Sequence, residues 1–135
     1  MVKTKIVLDT NILVSSVGWE GNPRRIFEKI VKKELELVMS IEQFYELCRV
    51  LDYPKFDFSE EQKNKFKNLI LETASFFASK EKVVVINEDP DDNMILESAL
   101  AGGADYIVIG DSHLLKLKEF RRVKIVDAKA FLEKL

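Results

Sequence analysis

Short, wholly apolar runs alternate along this chain with longer segments whose apolar residues recur at helical spacing, and this alternation constrains the fold more than any other feature. Residues 5–8, 35–39, 83–86, 106–109 and 123–126 are runs of this kind, rich in branched side chains, and are predicted to be strands. Between them, residues 24–33 place Ile26, Phe27, Ile30 and Val31 on one face after Asn22 and Pro23, a cap and a first-turn proline. Ser40 is placed to cap a helix to about Leu51 whose apolar face is Phe44, Leu47, Cys48 and Leu51. Ser59 and Gln62 form a capping-box pattern ahead of a long helix carrying Phe66, Leu69, Ile70, Thr73 and Phe77. A fourth helix opens at Asp89-Pro90 and closes at Gly102-Gly103, and residues 128–135 make a short last one. Strands that are apolar throughout need cover on both faces, and each connection is long enough for a crossover. The expected fold is α/β, a three-layer α/β/α sandwich with a five-stranded parallel sheet, Rossmann-like in plan, as one domain over residues 1–135.

Composition narrows the chemistry. A single cysteine, Cys48, excludes an intrachain disulfide and a multi-thiolate centre, and a single histidine, His113, excludes zinc sites that need several imidazoles. Any metal must be held largely by oxygen. The 21 Lys and Arg against 23 Asp and Glu leave a formal charge of −2, so a nucleic-acid surface must be local. No run approaches the roughly 18 apolar residues of a membrane helix, and the chain is expected to be soluble and cytoplasmic.

In open parallel sheets, ligands bind beyond the carboxyl ends of the strands where strand order reverses. Asp9 directly follows the first predicted strand, and Asp111 follows the fourth after one glycine. Each reads equally well as a helix cap. Asp92 is better discriminated. At about 100° per residue it lies within roughly 60° of Ile95, Leu96 and Ala99, whereas Asp91 falls off that stripe. A charge on a buried face is costly unless it is paired or binds a metal. By the same phase argument Glu46 points away from Phe44, Cys48 and Leu51, as a solvent-facing glutamate would.

The segments IVLDTNILVSS from Ile6, SIEQFYEL from Ser40, DPDDNMILESALAGGADYIVIGD from Asp89 and IVDAKAFL from Ile125 together resemble the PIN-domain family, particularly the VapC-like toxins of prokaryotic toxin-antitoxin pairs. The resemblance implies a Mg²⁺- or Mn²⁺-dependent ribonuclease whose four acids are Asp9, Glu46, Asp92 and Asp111, supported by Asn11 and Ser40. It promotes Glu46, which periodicity does not. It also implies an RNA substrate, a cognate antitoxin and a homodimer. Two positions depart from the family pattern: Ile109 stands where many members have Thr or Ser, and His113 where many have a further acid.

Converging carboxylates repel one another unless cations neutralise them, and Mg²⁺ and Mn²⁺ prefer oxygen ligands. One or two such ions suit phosphodiester hydrolysis. Phosphate contacts are expected from the basic clusters Arg24, Arg25, Lys29, Lys32, Lys33 and Lys116, Lys118, Arg121, Arg122, Lys124, with Arg24, Arg25, His113 and Lys116 as the named candidates. Trp19 is either a base-stacking residue or a buried or dimer-interface one. Two other classes compete: a non-catalytic module of the same fold that binds RNA or protein, and a phosphoaspartate phosphatase or receiver. The second would want an acid or its phosphoacceptor where this chain has neither.

Overall fold

Alternate residues of a strand face opposite sides of its sheet, and here that alternation sorts the core into two. In this computed structural model the described residues are 2–78, 82, 90–110 and 113–135. β1 (Thr4–Leu8) runs into α1 (Thr10–Gly18) and α2 (Asn22–Val31), then β2 (Leu35–Ser40), α3 (Ile41–Leu51) and α4 (Glu60–Thr73). β3 (Ser75–Phe77), α5 (Pro90–Gly102), β4 (Tyr106–Val108), β5 (Glu119–Phe120), β6 (Val123–Val126) and α6 (Ala128–Lys134) follow, with 3₁₀ turns at Pro54–Phe56 and His113–Leu117. The described strands form one sheet of order β3-β2-β1-β4-β6-β5, parallel except for the β5–β6 hairpin.

Ile6, Leu8, Leu37, Met39 and Val108 point into a core shared with Leu13, Ile26, Phe66 and Phe131 from the helices of one face. Their neighbours Val7, Val38, Ile107 and Ile109 point into a second core under Ile95, Leu96 and Ala99 of α5. Three layers result, as the doubly covered strands require. Among the described residues, no helix is long and apolar enough to cross a membrane.

The differences from expectation are local. α1 is an addition to the expected elements: apolar periodicity ends the first strand at Asp9-Thr10-Asn11 and carries no helix across residues 10–18, and the Asp9 cap is the local cue to it. Phe77, expected on α4, lies in β3: Ala74 is extended (φ −79°, ψ 147°), and the Ser75-Phe76-Phe77 stretch pairs with Val38, Met39 and Ser40. The strand expected at 83–86 lies outside the described residues. The two-residue β5 turns back through Arg121 (φ 46°) and Arg122 (φ 73°), left-handed positions that Asn-Gly usually fills, so an Arg-Arg pair offered no hairpin cue.

Gly102 and Gly103 divide the work at the end of α5. A Cβ on Gly102 would lie 1.9 Å from Val38 Cγ1, so the missing side chain lets α5 rest directly on β2. Gly103 takes the left-handed conformation (φ 64°) that closes the helix.

Candidate active site

Strand order reverses between β1 and β4, and Asp9 sits at that reversal. Its backbone N–H donates to Val108 O of β4 at 3.1 Å, which ties the exit of one strand to the end of the other. Its Oδ1 accepts from Ile12 N at 2.7 Å, capping α1. Its Oδ2 accepts from the backbone N–H of Gly110 at 3.2 Å, beyond β4. Capping and site placement are therefore one arrangement, not alternatives. Burial pushes the Asp9 carboxyl above its ordinary range, against the opposing pull of the Ile12, Gly110 and Asn11 backbone amides.

Asp92 enters the same space from α5. It is 9% exposed, whereas Asp91 is exposed, and Ile95, Leu96 and Ala99 are buried beside it, as the helical phase required. Glu46 enters from α3 and corrects the phase reading: its side chain is only 15% exposed. The buried face of α3 is centred on Gln43, Leu47, Val50 and Leu51, with Phe44 and Cys48 at its half-buried margin. Glu46 lies roughly 60° from Gln43 about the helix axis, at the opposite margin of that face. The Arg49 guanidinium donates to its Oε2.

Asp9, Glu46 and Asp92 line one cavity of about 540 Å³, together with Asn11, His113 and Lys116. His113 and Lys116 are exposed and belong to the 3₁₀ turn at 113–117. Asp111 lies outside the described residues. Among the described residues no three acidic side chains are gathered closely enough to hold an ion by themselves. Arg24 and Arg25 are not at the cavity. Arg24 instead donates through Nε to Ser16 O (3.1 Å) and through Nη2 to Val17 O (2.9 Å), closing the C-terminal end of α1.

Beneath the carboxylates lies a polar layer that the sequence reading only partly found. Ser40 Oγ accepts from Gln43 N at 3.1 Å, capping α3 as expected, and also lies 2.8 Å from Ser98 Oγ of α5, which bonds Met94 O at 3.0 Å. One hydroxyl pair thus joins the helices that carry Glu46 and Asp92. Gln43, fully buried, donates through Nε2 to Leu8 O at 2.6 Å, directly before Asp9. Gln43 and Ser98 were missed because periodicity counts apolar residues. The available signal was their phase, shared with Leu47 and Val50 in one helix and with Ile95 in the other.

A family model described as a PIN domain matches residues 5–113 of this chain. The chain belongs to the PIN domain family. Among curated proteins, nothing matches it. PIN domains are generally nucleases, they typically bind nucleic acid, and they typically use divalent metal ions. The carboxylates on the cavity of this PIN domain, from the β1–α1 junction, α3 and α5, are oxygen donors of the type that a hard cation selects. Ile109, at the position where many members carry a hydroxyl, is 1% exposed and packed in the α5-side core. Cys48 is half-buried, and burial raises its thiol above the ordinary range, so it stays protonated near neutrality.

Proposed function

We propose that this PIN domain is a Mg²⁺- or Mn²⁺-dependent endoribonuclease, cytoplasmic, and the toxin of a toxin-antitoxin pair. The observation that carries the catalytic reading is the meeting of Asp9, Glu46 and Asp92, from three separate elements, on one cavity at the reversal of strand order. Asp111, next in the chain to Gly110, completes the proposed acidic set. When bound, one or two divalent ions supply an activated water and charge neutralisation at the scissile phosphate.

The protein's own contribution is placement. The Ile12 and Gly110 amides fix the Asp9 carboxylate, leaving lone pairs on both oxygens for a cation. The Ser40–Ser98 pair holds α3 and α5 at a set separation, and with them Glu46 and Asp92. Lys116 lies on the same cavity, where a phosphodiester backbone would meet its positive charge, and His113 lines the cavity beside it.

An antitoxin and a second protomer are the proposed partners. Phe27 and Phe66 pair in the core with ring centroids 5.0 Å apart, and Phe44, Phe56, Phe58, Phe76 and Phe77 are half-buried. Tyr45 of α3 is in the open, at 69% exposure. An apolar groove of about 470 Å³ between α2 and α4, lined by Val17, Phe27, Val31, Phe66 and Leu69, is the surface most suited to a partner.

Titration of Mn²⁺ against wild type and Asp92→Asn, followed by cleavage of a single-stranded RNA, tests the proposal. Saturable binding and cleavage by wild type, both lost in Asp92→Asn, are expected. Equal metal affinity in the two proteins rejects the acidic cavity as the metal site.

A further inference from the structure

Four aromatic side chains form a continuous array that reaches the cavity through Arg49: Tyr53, Phe56 and Phe58 are half-buried against the core, and Trp19 is exposed. Tyr53 and Phe56 lie parallel (3°) with centroids 6.4 Å apart, and Phe56 and Phe58 lie parallel (7°) at 5.5 Å. Asp57 between them is left-handed (φ 50°) and turns the chain back. Trp19 meets Phe56 and Phe58 edge-on, each at 6.2 Å, and is 54% exposed. Gly18 provides the room: a Cβ there would stand 2.9 Å from Phe58 Cε1.

Two cations lie over this array. Lys55 Nζ is 5.1 Å from the Phe56 centroid, and the Arg49 guanidinium is 5.7 Å from that of Tyr53. Arg49 also links the array to the cavity, donating through Nη1 to the Tyr53 hydroxyl at 2.7 Å and through Nη2 to Glu46 Oε2. One guanidinium therefore spans from a cavity-lining carboxylate to the first ring of the stack.

We propose that Trp19, Tyr53, Phe56 and Phe58, with Arg49 and Lys55, form a base-stacking platform for the single-stranded RNA whose scissile phosphate lies in the neighbouring cavity. The proposal rests on the ribonuclease reading above. Aromatic faces accept any unpaired base, and cations placed over them suit the adjoining phosphates. Double-stranded RNA, with its bases already stacked on one another, has no face to offer. The local charge is mixed, because Glu20 and Asp57 are exposed in the same region. Stacking then dominates over counterion release, and the affinity contributed by the platform depends only weakly on salt.

Trp19 is the only tryptophan, so its emission reports on this surface alone. The experiment adds an unstructured, end-labelled RNA of about 12 nucleotides to the full chain in EDTA, where hydrolysis is blocked. Trp19 emission and the anisotropy of the RNA label are read together. The expected result is quenching of Trp19 that saturates with the anisotropy, is absent with a duplex of equal length, and has a midpoint weakened about tenfold by Phe56→Leu. Lys55→Gln, on an exposed side chain, provides a second variant with no folding risk and should weaken binding several-fold. Anisotropy that rises with no change in Trp19 emission, and that neither variant affects, overturns the platform and leaves the ribonuclease reading standing. No rise in anisotropy with any RNA overturns the platform, and cleavage of the same RNA in Mn²⁺ then decides the ribonuclease reading separately. A Trp19 emission that shifts with protein concentration alone, accompanied by dimer in light scattering, overturns the platform in favour of an interface between copies.

Discussion

The Asp9 carboxylate and the Gly110 amide face each other across the reversal of strand order, with Gly110 N–H donating to Asp9 Oδ2 at 3.2 Å. Together with the bond from Asp9 N–H to Val108 O, it joins the exits of β1 and β4 and holds a half-buried carboxylate where the cavity opens. Its chemistry decides what an isosteric substitution does. In Asp9→Asn the amide oxygen can still cap Ile12, but an NH₂ then meets the Gly110 N–H, and one bond worth about 0.5–1.5 kcal/mol is lost. Removing a desolvated charge offsets that loss, so stability in EDTA at neutral pH should stay within about 1 kcal/mol of wild type, while RNA cleavage is abolished. Thermal melting and a cleavage assay check both parts; retained cleavage in the purified mutant sinks the role of Asp9.

The pH dependence has a definite sign. Burial raises the Asp9 pKa in the folded protein above its unfolded value, so the ionised group weakens the fold at any pH above the folded pKa. As pH falls through that raised value towards the unfolded one, the penalty is relieved. The melting temperature of Asp9→Asn minus that of wild type, measured in EDTA, should therefore shrink as pH falls from neutral into the carboxylate range. A difference independent of pH contradicts the burial argument.

Glu46 and Glu42 share α3 but not an environment: Glu42 is exposed in the first turn, whereas Glu46 lines the cavity. Glu46→Gln should lower cleavage at least tenfold, and Glu42→Gln should leave it within twofold, a separation of about 1 kcal/mol or more in the barrier. Equal rates would show that cavity placement does not make Glu46 a participant.

Ser98→Ala removes the hydroxyl that meets Ser40 under the site. A buried partner left behind costs about 1–3 kcal/mol. Ser40 keeps its bond from Gln43 N, so the fold should survive. Cleavage should fall through loss of registry between Glu46 and Asp92, visible as weaker Mn²⁺ affinity in a titration. Unchanged metal affinity with reduced stability would confine Ser98 to the core.

Gly102→Ala should be far more damaging than Gly103→Ala. The first drives a Cβ to within 1.9 Å of Val38 and 3.1 Å of Phe77, forcing α5 off the sheet at a cost of about 1–3 kcal/mol or more. The second meets nothing within 4 Å and bears only the strain of a left-handed alanine, about 1 kcal/mol. Urea denaturation of the pair gives the order directly.

Local patterning was enough to determine the alternation of apolar strands with helices, the caps at Ser40 and Ser59, and the inward phase of Asp92. Each depends on residues within a turn or two, and burial on both faces of a parallel strand demands apolar side chains at every position. α1 and Glu46 were not legible in that way. The helix after Asp9 is recognised by its cap, and Glu46 by a buried face whose centre is a glutamine. Gln43 is an inward-facing residue only because Leu8 O is there to receive its amide proton.

Long-range pairing decided the rest. That Asp9 lies beside Gly110 depends on β1 pairing with β4, residues about a hundred positions apart, and nothing local to either records the strand order. The separation of Arg24 from the cavity has the same origin, since α1 presents its last carbonyls to that guanidinium only once α2 has packed against it. A sequence specifies which groups are charged, capped or apolar over a few residues; which of them meet is settled by sheet order and helix packing, where burial of two faces at once selects a single arrangement.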